Sequence, residues 1–396
     1  MLRHSHWLTA KRIIAWHGHI SLKRRTMTNP ARKLRKSDIK GLLPELIQRF
    51  TLLGKAPIGE RSGFGAVWEA HDSWLDRKVA VKISHTDLRE EIVLCRDIEG
   101  QTVRIFDYYR GEEGWNAYVM ELLEVPWITL STFIKRHTYK PNDLQHYFDC
   151  FEIVYEALLG LADIHGRPYS RQGRYVHADI KPANLFFLCR PKKHLNTVFR
   201  MPAHEEMLRI IDLGISIPRG ELNFSGTPAY DYPKKLEARL GHDLYSLGIT
   251  FLELLTGECP DHTVMEHKAR IRGFVARQSS GSHFIDELAI DLACQCARAA
   301  TQTRITARSL AIALDAQAFD VNPLYWLTLR AINKTLSHGM TKAELADHLF
   351  PILAPYYGWL NRSVGRIEQL KGLLTNMYEQ QMLLRDGFSH RYFVRQ

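Results

Sequence analysis

The sequence predicts an α+β protein with two lobes, in which a lobe built on an antiparallel sheet precedes a mainly helical lobe. From about residue 50 to residue 124, short β-prone runs alternate with turns. After residue 142, apolar residues recur instead at the spacing of helices. The chain has 396 residues, 45% of them hydrophobic, so it can bury a large core. We therefore expect the two lobes to meet near residue 125.

The predicted sheet is built from five β-prone runs and is interrupted by one helix. The helix falls between the third and fourth runs, where Leu88, Ile92 and Cys95 recur at helical spacing. The turn at residues 111–114 separates the last two runs. The five runs are FTLLGKAPIGE, GAVWEAHD, KVAVKIS, TVRIFDYY and AYVMELL.

Two helices dominate the predicted second lobe. In FEIVYEALLGLADIH, an apolar stripe follows one face from Phe151 to Ala162. The run DLYSLGITFLELLTG is apolar on nearly all sides, as is typical of a helix surrounded by core. The second lobe is therefore expected to pack around this buried helix.

The net positive charge of the chain is confined to its first 40 residues. That segment holds 11 Lys and Arg residues and one acid, Asp38, and so accounts for the whole net charge of +10. We expect residues 1–44 to form a flexible tail that could contact an acidic protein or acidic lipid, with nucleic acid not the expected partner. The arginine-rich, acid-poor composition also resembles an organelle presequence, and Met27 offers an alternative start.

Composition indicates a protein of a reducing compartment. No apolar run approaches the roughly 20 residues of a membrane helix, and the six cysteines form no C-x-x-C pair. We expect a cytoplasmic protein without a transmembrane segment, or one acting in a host cytosol if it is a secreted effector.

Residues 316–396 are predicted to form a separate helical extension. Thr341 and Glu344 have the spacing of a capping box, flanked by a Met340 to Leu345 staple. A second amphipathic run, VGRIEQLKGLLTNMYEQQMLL, follows. The extension either recruits partners or braces the lobe before it, and bracing is the simpler interpretation.

The stretch YVHADIKPANLFF carries polar side chains at fixed spacing beside an apolar run. Asp179 lies two residues after His177 and five before Asn184. VAVK precedes this stretch, and RIIDLG, GTPAYDYP, HDLYSLG and TQTRITARSL follow it in that order. This ordered set, spread over about 230 residues, resembles the motifs of eukaryotic-like Ser/Thr protein kinases, including those of bacterial or prophage type. The resemblance implies a two-lobed protein kinase domain at residues 45–315, with lobes at 45–124 and 125–315.

The resemblance also implies an ATP- and Mg²⁺-dependent enzyme that phosphorylates Ser and Thr hydroxyls of protein substrates. Asp179 would accept the hydroxyl proton, and Lys181 would contact the γ-phosphate. Lys82 would hold the α- and β-phosphates. Asn184 and Asp212 would hold Mg²⁺, a cation that prefers oxygen ligands.

The helix glutamate that pairs with Lys82 is either Glu90 or Glu91. We favour Glu91, because EIVLCRDI then follows the helix pattern of the family, although the loop after the helix must be one residue short.

Nucleotide-binding positions follow from the same resemblance. Met120 would control the depth of the adenine pocket, with backbone groups of Glu121 and Leu123 beside it. The glycine loop reads IGERSGFGAV, so Gly65 is in place, whereas Ser62 and Glu60 stand where the family has glycines. A one-residue insertion in this hairpin would return Gly59 to its role. The implied nucleotide-binding residues are Gly59, Ser62, Gly63, Gly65, Val67, Ala80, Lys82, Met120, Glu121 and Leu123.

Two departures from the family concern regulation and substrate binding. Ala178 replaces the arginine that often precedes the catalytic aspartate and contacts a phosphorylated activation segment, so we expect a non-RD enzyme that is active without such phosphorylation. Lys234 replaces a glutamate that pairs with a late arginine, here Arg304. Glu237 is the candidate replacement, provided that PKKLEARL opens a helix.

Two other functions are weighed against a protein kinase. A small-molecule phosphotransferase of the aminoglycoside or choline type shares the Asp-to-Asn loop, but it is not expected to carry GTPAY or Lys181. A kinase-fold scaffold would usually have lost one of Lys82, Asp179, Asn184 or Asp212. All four are present, which favours an enzyme.

Overall fold

The computed structural model describes residues 35–62, 65–97, 102–166, 175–188, 208–213, 216–222, 226–234, 236–281, 283–314 and 339–353, with 328, 332, 374–375, 377–379 and 383–394. These ranges contain a sheet-rich lobe followed by a helical lobe, which is the predicted order. Within them, no helix combines the length and the apolar character that a membrane crossing requires.

A six-stranded antiparallel sheet forms the first lobe. Its strands are β1 (Phe50–Leu52), β2 (Ile58–Ser62), β3 (Gly65–Asp72), β4 (Arg77–Ser84), β5 (Ile105–Arg110) and β6 (Asn116–Met120). The strand order is β1-β3-β4-β6-β5, and β2 also pairs with β3. The first predicted run therefore contains two short strands. Helix α3 (Arg89–Asp97) lies between β4 and β5, at the predicted place in the chain.

The N-terminal boundary differs from the predicted one, because residues 36–44 belong to the first lobe and not to a tail. Helices α1 (Lys36–Leu42) and α2 (Pro44–Arg49) lead directly into β1. Ile39, Leu43 and Leu46 are buried in the same apolar cluster as Trp68 of the sheet. Their i, i+4, i+7 spacing is that of a helix face, but Ile39 and Leu43 lie close to the basic residues that predict a tail. Residues 1–34 lie outside the described ranges.

Gly111 allows this N-terminal segment to approach the sheet closely. A Cβ atom at Gly111 would lie 2.1 Å from the Leu42 carbonyl oxygen and 2.6 Å from Leu43 Cδ2. A side chain would therefore displace the end of α1 from the turn between β5 and β6.

The second lobe is built around a buried helix, as predicted. Its helices are α4 (Leu130–Arg136), α5 (Leu144–Gly166), α6 (Leu240–Thr256), α7 (Lys268–Val275), α8 (His283–Ala299) and α9 (Ala307–Leu314). Helix α6 is buried along nearly its whole length, and its apolar side chains join those of α5 and α8 in one core cluster. Helix α6 therefore lies at the centre of the core of the second lobe.

Short strand pairs fix the loop that carries Asp179. Strand β8 (Tyr175–Val176) precedes the loop and pairs with β11 (Ile217–Pro218). Strand β9 (Leu185–Leu188) follows it and lies between β7 (Trp127–Thr129) and β10 (Leu208–Ile210). Both ends of the loop at 177–184 are therefore held by backbone pairing.

The C-terminal extension begins at the predicted capping box. The Thr341 N–H donates to Glu344 Oε2 at 2.8 Å, and the Glu344 N–H donates to Thr341 Oγ1 at 3.3 Å. Helix α10 (Lys342–Leu353) follows. Buried Leu345 belongs to the core cluster of the second lobe, so this part of the extension braces that lobe.

The extension is not wholly helical, which corrects the prediction. Strands β12 (Leu383–Arg385) and β13 (Tyr392–Val394) form a hairpin, so the predicted second helix run ends in a strand. Arg391 beside β13 bonds the Glu344 carboxylate at 3.0 Å. The β-prone residues Tyr392, Phe393 and Val394 after the turn DGFSH favour a hairpin here. Residues 364–373 of the predicted run lie outside the described ranges.

Candidate active site

Lys82 lies at the centre of a buried charge cluster. It is on β4, opposite Val67 of β3 and Tyr118 of β6. Its Nζ lies 2.7 Å from Glu91 Oε1 and 2.9 Å from Asp212 Oδ1. Of the two candidate helix glutamates, the structure thus brings Glu91 to Lys82.

The charges in this cluster stabilise one another. Burial disfavours a charged ammonium, but the Glu91 and Asp212 carboxylates outweigh burial and raise the pKa of Lys82. Burial would likewise raise the pKa of Asp212, but Lys82 beside it holds this pKa below its ordinary value. Lys82 and Asp212 are therefore both ionised at neutral pH.

Tyr118 is a member of the cluster that sequence reasoning missed. Its hydroxyl donates to Glu91 Oε1 at 2.9 Å, the oxygen that also contacts Lys82. The residue is 2% exposed, and burial followed by the nearby Glu91 charge raises its pKa well above the ordinary value. Tyr118 therefore stays a neutral hydrogen-bond donor that orients the glutamate.

The Asp179 carboxylate is held by three side chains. Thr227 Oγ1 donates to Asp179 Oδ1 at 2.6 Å, while Lys181 Nζ lies 2.8 Å from Oδ2. Asn184 Nδ2 donates to the same Oδ2 at 3.0 Å and to the Asp179 carbonyl at 2.9 Å. Lys181 also donates to Thr227 Oγ1 at 2.9 Å. The carboxylate is therefore fixed in one orientation, with lone pairs of Oδ1 still able to accept a further proton donor.

Thr227 lies within the GTPAYDYP motif, but the motif alone predicts no role for its hydroxyl. Only the fold brings this residue, 48 positions along the chain, to the carboxylate of Asp179.

Asp243 at the start of α6 holds the loop at 177–184 by accepting hydrogen bonds from its backbone. Its Oδ2 accepts the His177 N–H at 2.8 Å and lies 2.8 Å from His165 Nε2, while Oδ1 accepts the Ala178 N–H at 2.9 Å. Burial would raise the pKa of Asp243, but these hydrogen bonds and the facing histidines hold it below its ordinary value. Ala178 has φ +69°, an unfavourable conformation for a residue with a Cβ, and the bond to Asp243 helps to stabilise it.

His177 connects the Asp179 loop to the chain before Asp212. Its Nε2 donates to the Ile211 carbonyl at 3.1 Å, so Nδ1 is free to accept the Asp179 N–H at 3.2 Å. The Ile211 N–H in turn donates to the Asn184 carbonyl at 2.9 Å. Asn184 and Asp212 are therefore held next to each other by backbone contacts.

The donors at this point suit a magnesium ion. Asn184 turns its amide nitrogen to Asp179, which leaves its carbonyl oxygen for a ligand, and Asp212 uses Oδ1 for Lys82, which leaves Oδ2. Hard oxygen atoms of this kind fit Mg²⁺, which commonly takes one or two protein ligands and completes its shell with water and phosphate. No group of three or more His, Cys, Asp or Glu side chains in the described part of the chain could hold a metal alone, so the fit depends on such outside ligands.

Most of the residues implied in nucleotide binding lie on β2, β3, β4 and β6. Gly65 has φ +146°, and a Cβ there would lie 2.5 Å from the Ile83 carbonyl oxygen, so only glycine fits. Gly59 and Ser62 are in β2, and Gly63 lies outside the described residues. Buried Ala80 pairs with Met120 across β4 and β6.

Glu121 and Leu123 follow β6, in the connection between the lobes. The Glu121 N–H donates to the Arg104 carbonyl at 2.9 Å, so a ligand could use only its carbonyl. In the described ranges, the Leu123 N–H makes no backbone hydrogen bond. The Glu121 side chain accepts the Arg104 N–H at 3.0 Å and lies 3.4 Å from Arg209 Nε, a contact that sequence reasoning did not find.

The predicted pair of Glu237 and Arg304 is wrong. Both side chains are exposed, and no ion pair joins them in the structure. Residues 236–239 are not helical, because Glu237 forms an isolated bridge with Leu222 and α6 begins only at Leu240. The carboxylate therefore cannot turn toward the position of the missing glutamate.

Comparison with known proteins agrees with the motifs. The protein kinase domain model matches residues 55–313, and the chain therefore belongs to the protein kinase domain family. The resemblance to eukaryotic-like Ser/Thr kinases and the predicted fold class are thus confirmed.

The similarity to individual relatives extends over only part of this chain and part of each relative. Serine/threonine-protein kinase A of Synechocystis sp. is 32% identical over 169 residues, which are 40% of this chain and 29% of that protein. Probable serine/threonine-protein kinase pknA2 of Bifidobacterium longum is 31% identical over 222 residues, which are 50% of this chain and 25% of that protein. The chain thus spans less than a third of the length of these curated relatives.

One solved structure is similar at low identity. The structure of the Cydia pomonella granulovirus kinase PK-1 is 16% identical and covers 63% of this chain and 89% of its own, with a TM-score of 0.45. A likeness of that size carries no argument about function.

Proposed function

We propose that the chain is a Ser/Thr protein kinase that transfers the γ-phosphoryl group of ATP, with Mg²⁺, to hydroxyl groups of proteins. The observation that carries the proposal is the Asp179 carboxylate, held by Lys181, Asn184 and Thr227 in a chain that also forms the Lys82–Glu91 ion pair. The two relatives described above are named as a serine/threonine-protein kinase and a probable serine/threonine-protein kinase, which supports the same class of substrate.

The residues divide the work of phosphoryl transfer between positioning and charge neutralisation. Asp179 accepts the proton of the substrate hydroxyl at Oδ1, where Thr227 leaves a lone pair free. Lys82, fixed by Glu91, holds the non-transferred phosphates. Asn184 and Asp212 hold Mg²⁺, which when bound neutralises charge on the phosphate oxygens.

Lys181 lies between Asp179 and Thr227, with its Nζ within hydrogen-bond distance of both. It can therefore follow the transferred phosphoryl group and balance its charge during transfer. Ala178 offers no guanidinium to a phosphorylated activation segment, and its N–H is committed to Asp243. We therefore include in the proposal that activity does not require phosphorylation of that segment.

The test is transfer of labelled phosphate from ATP to dephosphorylated casein, with the acceptor sites mapped. Asp179→Asn is expected to slow transfer by roughly 10²- to 10⁴-fold, the range for loss of a general base, while the protein stays folded. Asp163→Asn, at a half-buried position of α5 outside the site, is the matched control and should keep full activity. Wild-type turnover in Asp179→Asn, or phosphate found only on kanamycin or choline when these are offered, would refute the proposal.

A further inference from the structure

The segment 226–234, which we call the substrate platform, lacks the ion pair that its family resemblance implies. Lys234 stands at the position of the glutamate, and both Lys234 and Arg304 are exposed. Yet Thr227 of the platform must stay within hydrogen-bond distance of Asp179. Some other contact must therefore hold the platform on the second lobe.

His262 makes that contact from the loop after α6. Its Nε2 lies 2.9 Å from the Pro228 carbonyl oxygen. A carbonyl only accepts, so Nε2 carries the proton and donates it to Pro228. The other ring nitrogen, Nδ1, is then an acceptor, and the Tyr245 hydroxyl lies 3.1 Å from it. In this arrangement the Tyr245 hydroxyl donates to Nδ1 of His262, and Nε2 of His262 donates to the Pro228 carbonyl.

Tyr245 connects His262 to the buried central helix of the lobe. It is 4% exposed within α6, and its ring also packs against Tyr232 of the platform at a centroid distance of 5.2 Å. Tyr232 stacks in turn on His242 of α6, again at 5.2 Å. The platform is therefore held at Pro228 by a hydrogen bond and at Tyr232 by ring contacts.

Tyr230 supplies a third attachment between these two. Its hydroxyl donates to Glu253 Oε2 of α6 at 2.7 Å. Pro228, Tyr230 and Tyr232 alternate along the chain, so every second residue of this stretch contacts α6 or the loop that follows it. Pro228 is the attachment nearest to the cleft, because it is bonded directly to Thr227.

From these contacts we infer that His262 is a positioning residue for the protein substrate. It fixes Pro228, and through Pro228 it keeps Thr227 against Asp179 and Lys181. The histidine replaces the missing ion pair with a hydrogen bond to a backbone carbonyl and does not contact the reacting atoms. The inference rests on the proposed kinase function for its effect on catalysis, but not for its effect on the platform itself.

The test compares His262→Ala with His262→Gln in the full chain. Loss of one hydrogen bond, about 1 kcal/mol and so roughly a fivefold change, should lower kcat/KM for casein by that factor in His262→Ala. Transfer to water, measured as slow ATP hydrolysis, should fall less than transfer to casein, because water needs no platform and Lys181 and Asn184 still hold the Asp179 carboxylate. His262→Gln should recover much of the casein activity, because its amide can still donate to the Pro228 carbonyl.

His267→Ala is the matched control, since His267 is an exposed histidine of the same loop region. Amide hydrogen exchange of residues 226–234 should be faster in His262→Ala than in wild type and unchanged in His267→Ala. If both alanine variants behave alike in casein transfer and in exchange, the inference is wrong even though the kinase proposal stands. Faster exchange in a protein that phosphorylates nothing would instead refute the proposed function and leave the anchor in place.

Discussion

The catalytic cleft and the substrate platform belong to the same domain but are held together by different forces. In the cleft, Lys82, Glu91 and Asp212 form a buried cluster of full charges. The platform is attached through Pro228, Tyr230 and Tyr232, by hydrogen bonds to a histidine and a carboxylate and by ring contacts.

The difference follows from what each region must do. Phosphate and metal binding require particular charges and oxygen atoms, so the cleft can use few residue types. The platform has only to stay in position, which many complementary pairs can achieve. Substitutions that remove charge should therefore damage the cleft severely and the platform little.

The largest effect is expected in the cleft, for Lys82→Met. Removing one partner of a buried ion pair costs on the order of 3–5 kcal/mol, because the other charge stays buried. Here Glu91 and Asp212 would face each other without a cation. Unfolding by denaturant should show this loss, together with loss of phosphate transfer.

Lys78→Met is the matched control, because Lys78 lies on the same strand and also contacts two carboxylates, those of Glu69 and Glu124. Its side chain is 49% exposed, and exposed pairs contribute little. We expect no measurable shift of its denaturation midpoint. Equal shifts in the two variants would mean that burial does not distinguish the cleft.

The next effect concerns Asp243, which joins the cleft to α6. Asp243→Asn should lower the free energy of unfolding by about 2 kcal/mol or more. The new amide nitrogen would face a backbone or histidine N–H donor, and residue 243 is 1% exposed, so water cannot satisfy either donor. Phosphate transfer should fall with it, because His177 and Ala178 lose their common acceptor.

The pH dependence of stability gives this prediction a sign. The pKa of Asp243 is lowered on folding, so its ionised form adds stability that is complete above the ordinary value of 3.8 and is lost as pH falls through the folded value. The thermal stability of the wild type should fall below about pH 4, and Asp243→Asn should lack this part of the decline. Parallel profiles in the two proteins would contradict the assignment.

The same contrast explains what could be predicted from the sequence. Lys82, Asp179, Asn184 and Asp212 were recognised because the reaction restricts their types and spacing. Thr227 and Tyr118 were not assigned roles, since their partners are distant in the chain and only the fold brings them together.

The platform anchor was mispredicted for a related reason. The pair of Glu237 and Arg304 assumed a helix at residues 236–239, where the chain instead bridges to Leu222. No sequence motif predicts the role of His262, because that role is a single hydrogen bond to the Pro228 carbonyl. Donors of other residue types could make the same bond. The sequence pattern of the lobes was sufficient for the fold class, but buried Ile39 and Leu43 were hidden among basic residues at the N-terminal boundary.

A smaller effect is expected at the second attachment of the platform. Tyr230→Phe removes the hydrogen bond to Glu253 and should cost about 1 kcal/mol. Glu253→Gln should cost less, because its amide oxygen can accept from the same hydroxyl. Denaturant unfolding would measure both, and a larger loss in Glu253→Gln would show that the platform, like the cleft, depends on charge.

The smallest effect is expected for Asp261, which positions His262 without touching the platform. The Asp261 side chain caps the short 3₁₀ helix at His262–Glu266 by accepting the Thr263 N–H at 2.8 Å, and this bond holds the pKa of the carboxyl below its ordinary value. An asparagine caps a helix about as well as an aspartate, whereas an alanine does not cap it. Asp261→Asn should therefore leave kcat/KM for casein unchanged. Asp261→Ala should lower kcat/KM by about twofold to threefold. This loss is smaller than that of His262→Ala, because without the cap the imidazole leaves Pro228 only part of the time. The order of the two losses of kcat/KM matters more than their size. If Asp261→Asn were as damaging as Asp261→Ala, the charge of this carboxylate would matter to the platform. The distinction between a cleft held by charge and a platform held by hydrogen bonds and ring contacts would then be wrong.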